Sequence, residues 1–101
     1  MNYQIRWSES ALEQASELMR FVAEERPHLA ERVIKDLFRR AEVLCEQPRL
    51  GRPLAKRVFS DFRRVVLGQY VLVYQIEVTR EAIWIIAVRH SRQKSLREED
   101  I

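Results

Sequence analysis

His90 is the residue of this chain whose type and surroundings best suit proton transfer. It adjoins Arg89 and precedes Arg92, and neighbouring cations lower an imidazole pKa, which suits a general acid. A satisfied structural histidine is the other reading of the same position. His28 falls in a turn between helices and reads as a surface residue. The two histidines lie on different elements, so no paired metal-ligand spacing exists. Ser91 follows His90, but no third group is placed to orient a base, so no triad is read. Asp61, Glu77 and Glu81 are scattered at strand ends and form no acid–base pair. Cys45 lies on an apolar helical stripe and reads as a core thiol rather than a nucleophile. As the single cysteine it excludes an internal disulfide framework and a cysteine-rich zinc site. The only glycines, Gly51 and Gly68, build no phosphate-cradling loop, and neither cofactor nor metal is expected.

The other chemistry available is anion recognition. Net charge is +3, but its distribution is lopsided. Residues 1–46 carry −2, residues 47–97 carry +8, and Glu98, Glu99 and Asp100 return −3. Fifteen of the eighteen cations are Arg, whose planar donor fork suits phosphate or carboxylate better than the point charge of Lys. Such a basic half suggests a nucleic acid or an acidic protein segment as partner. A solvated basic face with no partner is the plainer reading of the same excess. Tyr70, Tyr74 and Trp84 lie among these cations. Aromatics mixed with cations can stack bases and hold phosphates, although strands favour the same residues for packing.

These side chains need elements to position them. Tyr3–Trp7 alternates and predicts a short strand. Ser8 and Ser10 are helix caps by type, and Ser10 with Glu13 fits a capping box. Ala11, Ala15, Leu18 and Val22 then recur at helical spacing, predicting a helix to about Glu25, where Pro27 breaks it. A second helix carries one apolar stripe from Ala30 through Val33, Ile34, Leu37, Phe38, Ala41 and Leu44 to Cys45. Its opposite face is charged, and Gln47-Pro48 ends it. The short link at Arg26-Pro27 implies an antiparallel helical hairpin.

Residues 48–61 read as an irregular Pro/Gly/Arg-rich connection. Three strands follow: Phe62–Leu67, Tyr70–Val78 and Ala82–His90. Gly68-Gln69 suits a tight hairpin between the first two. The last strand is apolar on both faces, with Ile83, Ile85 and Ala87 alternating with Trp84, Ile86 and Val88, and is expected inside the sheet. The order β-α-α-β-β-β predicts an α+β fold, an antiparallel helical hairpin packed on a mostly antiparallel four-stranded sheet. The uncovered sheet face then presents Arg63 or Arg64 and Arg89 or His90. Arg52, Lys56 and Arg57 of the connection and Arg92, Lys94 and Arg97 of the tail fall near it. At 101 residues the chain makes one domain, spanning 1–101. Its longest uncharged apolar run, Ala82–Val88, is too short for the roughly 20 residues of a bilayer span. The first residues lack the apolar stretch of a signal peptide, so a cytoplasmic protein without membrane contact is expected.

Several segments, in this order, resemble one family. They are Ile5-Arg6-Trp7-Ser8 leading to Ala11, and Leu44 followed by Pro48-Arg49-Leu50-Gly51-Arg52-Pro53. Phe62-Arg63-Arg64, then Gly68-Gln69-Tyr70-Val71-Leu72-Val73-Tyr74, and Val88-Arg89-His90 complete the set. Over residues 3–92 the chain resembles the RelE/ParE superfamily of small bacterial toxins. The resemblance implies the toxin of a type II toxin–antitoxin pair, held inactive by a cognate antitoxin in a hetero-oligomer. RelE-like members cleave mRNA on the ribosome; ParE-like members share the fold and poison DNA gyrase. The cleaving branch typically uses an Arg after the aromatic residue of the third strand and a Tyr or His near the C-terminus. Here Val71 follows Tyr70, and Ser91-Arg92-Gln93-Lys94-Ser95-Leu96 contains no Tyr. The resemblance therefore implies a ParE-like gyrase inhibitor without catalysis, with Arg63, Arg64, Arg89, His90, Arg92, Lys94 and Arg97 facing the target. The alternative is a RelE-like endonuclease using His90 as the acid and Arg89, Arg63 and Lys56 on the phosphate.

Overall fold

The computed structural model describes residues 3–54 and 61–91. Strand β1 (Gln4–Trp7) passes into helix α1 (Glu9–Glu25) through the single residue Ser8. The Ser8 N–H donates to the Ile85 carbonyl at 2.9 Å, continuing the strand ladder. Its Oγ accepts from the Ala11 N–H at 3.0 Å, satisfying a donor that the helix cannot satisfy itself. Of the two serines expected as caps, Ser8 fills the role and Ser10 lies inside the first turn, so no capping box forms around Ser10. The reason is tertiary: β1 pairs only as far as Trp7, and the residue after it is free to turn.

Pro27–Leu29 makes one 3-10 turn, and α2 (Ala30–Ala41) runs back along α1. The Glu42 N–H reaches the Arg39 carbonyl at 3.3 Å, a tightened turn that separates α2 from α3 (Val43–Glu46). Two helices therefore carry the stripe expected of one. Its buried positions Leu37, Ala41 and Leu44 still form a continuous surface.

The sheet contains β2 (Arg52–Pro53), β3 (Asp61–Leu67), β4 (Tyr70–Glu77) and β5 (Ala82–His90) besides β1. Its order is β1-β5-β4-β3-β2, parallel between β1 and β5 and antiparallel elsewhere. The described sheet thus has five strands, where four were expected. The extra one is the two-residue edge strand β2 inside the connection, with Arg52 opposite Arg64 and Pro53 opposite Arg63. An outer edge tolerates Pro because no neighbour needs its missing N–H. Gly68 opens the β3–β4 turn with φ +62°, a left-handed value that Gly adopts without strain. A Cβ there would also meet the Arg40 guanidinium at 2.6 Å.

The helices cover one face of the sheet. Ala11, Ala15 and Leu18 of α1 and Leu37 and Ala41 of α2 pack on Val65, Leu72, Ile76, Ile83 and Ile85. Trp7 meets Phe38 edge-on, with ring centroids 4.7 Å apart. The alternation of β5 does not run unbroken. Tyr74 pairs with Ile85 but Val73 pairs with Ala87, so Ile86 is an extra residue, a β-bulge. Beyond Trp7 the outer edge of β5 has no strand partner among the described residues. The Ser8 Oγ donates to the Ile86 carbonyl at 3.3 Å, and the Gln14 Oε1 accepts from the Val88 N–H at 2.8 Å. No helix among the described residues is long and apolar enough to cross a membrane.

Candidate functional site

A strand sends successive side chains to opposite faces, so register sorts the candidate residues. Tyr70, Leu72 and Tyr74 of β4 belong to the core on the helix side. Arg63 lies opposite Tyr74 and takes the same side; Arg64 lies opposite Val73 and takes the other. On β5 the bulge decides. Ile83 and Ile85 face the helices, and after Ile86 it is Val88 and His90 that do so. Arg89, opposite Val71, joins Arg64 and Trp84 on the face turned away from the helices, where Val71, Val73 and Ala87 are buried, so the open face expected from the sequence is not what the structure shows. The expected alternation grouped Ala87 with Ile83 and Ile85, and Val88 with Trp84. The extra residue reverses that grouping.

Arg63 is fully engaged. Its Nε donates to Asp61 Oδ1 at 3.0 Å, and one terminal nitrogen donates to the carbonyls of Gly51 at 2.9 Å and Arg49 at 3.2 Å. Its side chain is 14% exposed. The Tyr74 hydroxyl completes the same anchor: it donates to the Pro48 carbonyl at 2.7 Å and accepts from the Gly51 N–H at 2.8 Å. Tyr74 is wholly buried, and burial pushes its phenol pKa up. Gly51 admits this approach because it has no Cβ, which would stand 2.7 Å from the Tyr74 hydroxyl and 2.9 Å from the Arg64 carbonyl oxygen. Arg63 and Tyr74 together clamp the connection onto β3.

His90 sits at the corner where β5 ends. Its Nε2 lies 2.9 Å from the Gln69 Oε1, and its ring meets Tyr70 edge-on at 5.8 Å. The Tyr70 hydroxyl donates to the Val33 carbonyl at 3.3 Å, and burial, followed by the nearby Asp36 carboxylate, raises its pKa. Asp36 accepts from Arg39 at 2.7 Å and from Arg40 Nε at 2.9 Å, and these bonds hold its carboxyl below the ordinary range. Burial, with the carboxylates of Glu42 and Glu46, raises the half-buried Cys45 thiol, which suits a packing role.

On the face turned away from the helices, Arg64 and Arg89 are two strands and two residues apart, which places their Cα atoms roughly 12 Å from one another. One terminal nitrogen of Arg89 donates to the His90 carbonyl at 3.3 Å. Its Nε is closed off from solvent without a hydrogen-bond partner among the described residues. Trp84 is half-buried and lies between Arg6 of β1 and Gln75 of β4. Arg6 belongs to this face although no local pattern marks it, because its strand reaches Trp84 only through the parallel pairing of β1 with β5. Lys56, Arg57, Arg92, Lys94 and Arg97 lie outside the described residues. Among the described residues no three His, Cys, Asp or Glu side chains gather to hold a metal.

The sequence of the family described as the ParE toxin of the type II toxin–antitoxin system parDE matches residues 5–95. The chain belongs to the ParE toxin family. No curated protein matches it. Solved structures give the same fold. The chromosomal ParDE system of P. aeruginosa has a TM-score of 0.70 at 14% identity, covering 87% of this ParE-family chain and 95% of that one. The archaeal RelE–RelB complex of Pyrococcus horikoshii OT3 has a TM-score of 0.63 at 15% identity, covering 93% and 100%. The RelBE2 complex of Mycobacterium tuberculosis has a TM-score of 0.58 at 24% identity, covering 89% and 99%. Both ParE-type and RelE-type structures share the ParE-family architecture found here, a toxin fold of the ParE/RelE superfamily.

Proposed function

We propose that the protein is a ParE-like toxin that inhibits DNA gyrase by binding it and is neutralised by a cognate antitoxin. The carrying observation is that, among the described residues, the groups a nuclease would have to converge are dispersed. Cleaving RNA needs a proton-transfer group and phosphate-stabilising donors within hydrogen-bond reach of one phosphate. Arg63 is largely taken up by Asp61 and two carbonyls, His90 faces the helix side, and Arg89 faces the opposite side. Val71, beside Arg89, is apolar and buried. Inhibition by surface contact makes no such demand. Arg64, Arg89 and Trp84 share one face, and with Arg92, Lys94 and Arg97 of the tail they form the target-facing set of this reading. The match to the ParE family over residues 5–95 favours the same branch. The antitoxin follows from the family and from relatives solved as toxin–antitoxin complexes.

The second reading, a RelE-like mRNA endonuclease acting on the ribosome, draws on the RelE complexes among the structural relatives and on the shared face of Arg64 and Arg89. Purified protein added to gyrase-supercoiling and translating-extract assays separates the two. Loss of supercoiling with intact mRNA is expected, and the reverse overturns the proposal. His90→Ala should leave toxicity within a few-fold of wild type. A true general acid would cost on the order of 100- to 10,000-fold in cleavage.

A further inference from the structure

The outward surface of the helical hairpin is polarised from one helix to the other. From Glu9 to Glu25, α1 carries five carboxylates and one cation, Arg20. From Ala30 to Ala41, α2 carries four cations and two carboxylates. Glu9, Glu13 and Glu17 recur every four residues and form one ridge on the exposed side of α1. None of the α1 carboxylates forms an ion pair among the described residues, and neither does Arg32 of α2. Lys35 holds only Glu31 at 3.1 Å, with both side chains at least three-quarters exposed, a bond worth little and readily exchanged. Between the two ridges runs an apolar seam. Gln14 reaches the outer edge of β5 to bond Val88, so it marks the flank of α1 turned away from α2. At about 100° per residue, Leu12 and Met19 stand roughly 160° and 140° round the helix from Gln14, on the flank toward α2. They remain 46% and 38% exposed. Ser16 and Ala23 share their row, at the alternating four- and three-residue steps of a coiled-coil seam. The sheet does not use this row, because Ala11, Ala15 and Leu18 already fill it.

We propose that this face joins two copies of the chain into a reversible dimer, with α1 of each copy lying on α2 of the other. The charge pattern selects the symmetry. A two-fold axis along the hairpin, between its helices, sets the acidic α1 of one copy on the basic α2 of its partner, twice over. A two-fold axis across the helices would stack α1 on α1 and α2 on α2, with like charges opposed. In the first arrangement the seam lies beside the axis, so Leu12 and Met19 meet the same residues of the partner. A second copy is the occupant that matches both helices at once. A nucleic acid would be repelled by the α1 ridge, and a partner segment of one charge would suit only one of the two helices. Helix α1 has 17 residues and is about 25 Å long, and the hairpin is roughly 20 Å wide, so each copy offers about 500 Å². The total of about 1,000 Å² is at the lower bound for a specific interface, which makes the dimer exchangeable rather than permanent. The dimer leaves Arg64 and Arg89 free on the far side of the sheet, and it depends on neither gyrase nor the antitoxin.

Sedimentation of the full-length protein without antitoxin, over a wide concentration range at low and high salt, tests this. A monomer–dimer equilibrium is expected, weakening about tenfold between low and high salt. Glu13→Lys/Glu17→Lys and, separately, Arg32→Glu/Lys35→Glu should each abolish the dimer. All four side chains are exposed, and unchanged circular-dichroism melts certify the folds. Mixing the two variants should restore association. So should one chain carrying all four substitutions, whose two reversals each way cancel and keep the net charge at +3. Leu12→Ser/Met19→Ser should weaken association at every salt concentration. A wild-type chain that is monomeric throughout overturns the inference. A dimer that survives either charge reversal, or that the folded four-substitution chain fails to recover, overturns it as well. Antitoxin binding or toxicity lost on Glu13→Lys/Glu17→Lys, in a chain that never dimerises, would assign the face to that partner and overturn it too.

Discussion

Arg63 shows how a residue of the right type can be committed elsewhere. Its guanidinium is divided between Asp61 and two carbonyls of the connection, so little donor capacity remains for a ligand. The same clamp uses Tyr74, whose phenol looked equally suited to a base-stacking face. Tyr74→Phe keeps the ring but removes one donor and one acceptor, leaving the Gly51 N–H without its bond. That change should cost about 1–3 kcal/mol, seen as a lower urea midpoint with an unchanged slope. Gly51→Ala should be worse, since the added methyl meets both the Tyr74 hydroxyl and the Arg64 backbone oxygen. A Gly51→Ala variant as stable as wild type would mean that the connection can lift off β3 freely.

At the scale of elements, β5 depends on side chains from the other end of the chain. Ser8 and Gln14 take up the Ile86 carbonyl and Val88 N–H, which lie past the end of β1. Gln14→Ala should leave a partly buried N–H unpaired and lower stability by about 1–3 kcal/mol. Amide exchange should quicken at Val88 first, because its protecting acceptor is gone. The α2 end of the β3–β4 hairpin is held differently, by Arg40 lying over Gly68 and bonded to Asp36. The Asp36 pKa is lowered chiefly by its hydrogen bonds from Arg39 and Arg40. A folded pKa below the unfolded one stabilises the protein above the ordinary value of 3.8. That contribution disappears as pH falls from there through the folded value. Asp36→Asn should therefore weaken the protein at neutral pH and flatten its acid decline below pH 3.8, read from thermal midpoints across pH.

For the molecule as a whole, the two faces of the sheet divide the labour. One is filled by the helical hairpin. The other carries Arg64, Arg89, Trp84 and Arg6. Saturating antitoxin should raise the thermal midpoint, because any ligand of the folded state stabilises it; at 100 times Kd the gain is about 2.7 kcal/mol.

The helical hairpin was legible because its information is local: apolar residues at 3.6-residue spacing from Ala11 to Leu44, Pro27 between the helices, and Gly68 at the strand turn. The ordered segments from Ile5 to His90 likewise pointed to the RelE/ParE superfamily and hence to the α+β fold. The placement of the candidate residues was not legible, because sides of a sheet are set by register. One extra residue at Ile86 reverses the side of everything after it, sending Arg89 outward and His90 toward the helices. The groups that meet the edge of β5 at this bulge, Ser8 and Gln14, lie 78 and 74 residues from their partners along the chain. Arg63's commitment to the connection, β2 at the sheet edge and Arg6 beside Trp84 arise in the same way. Each is a contact between segments whose own sequences carry no mark of the other, so only packing in three dimensions decided them.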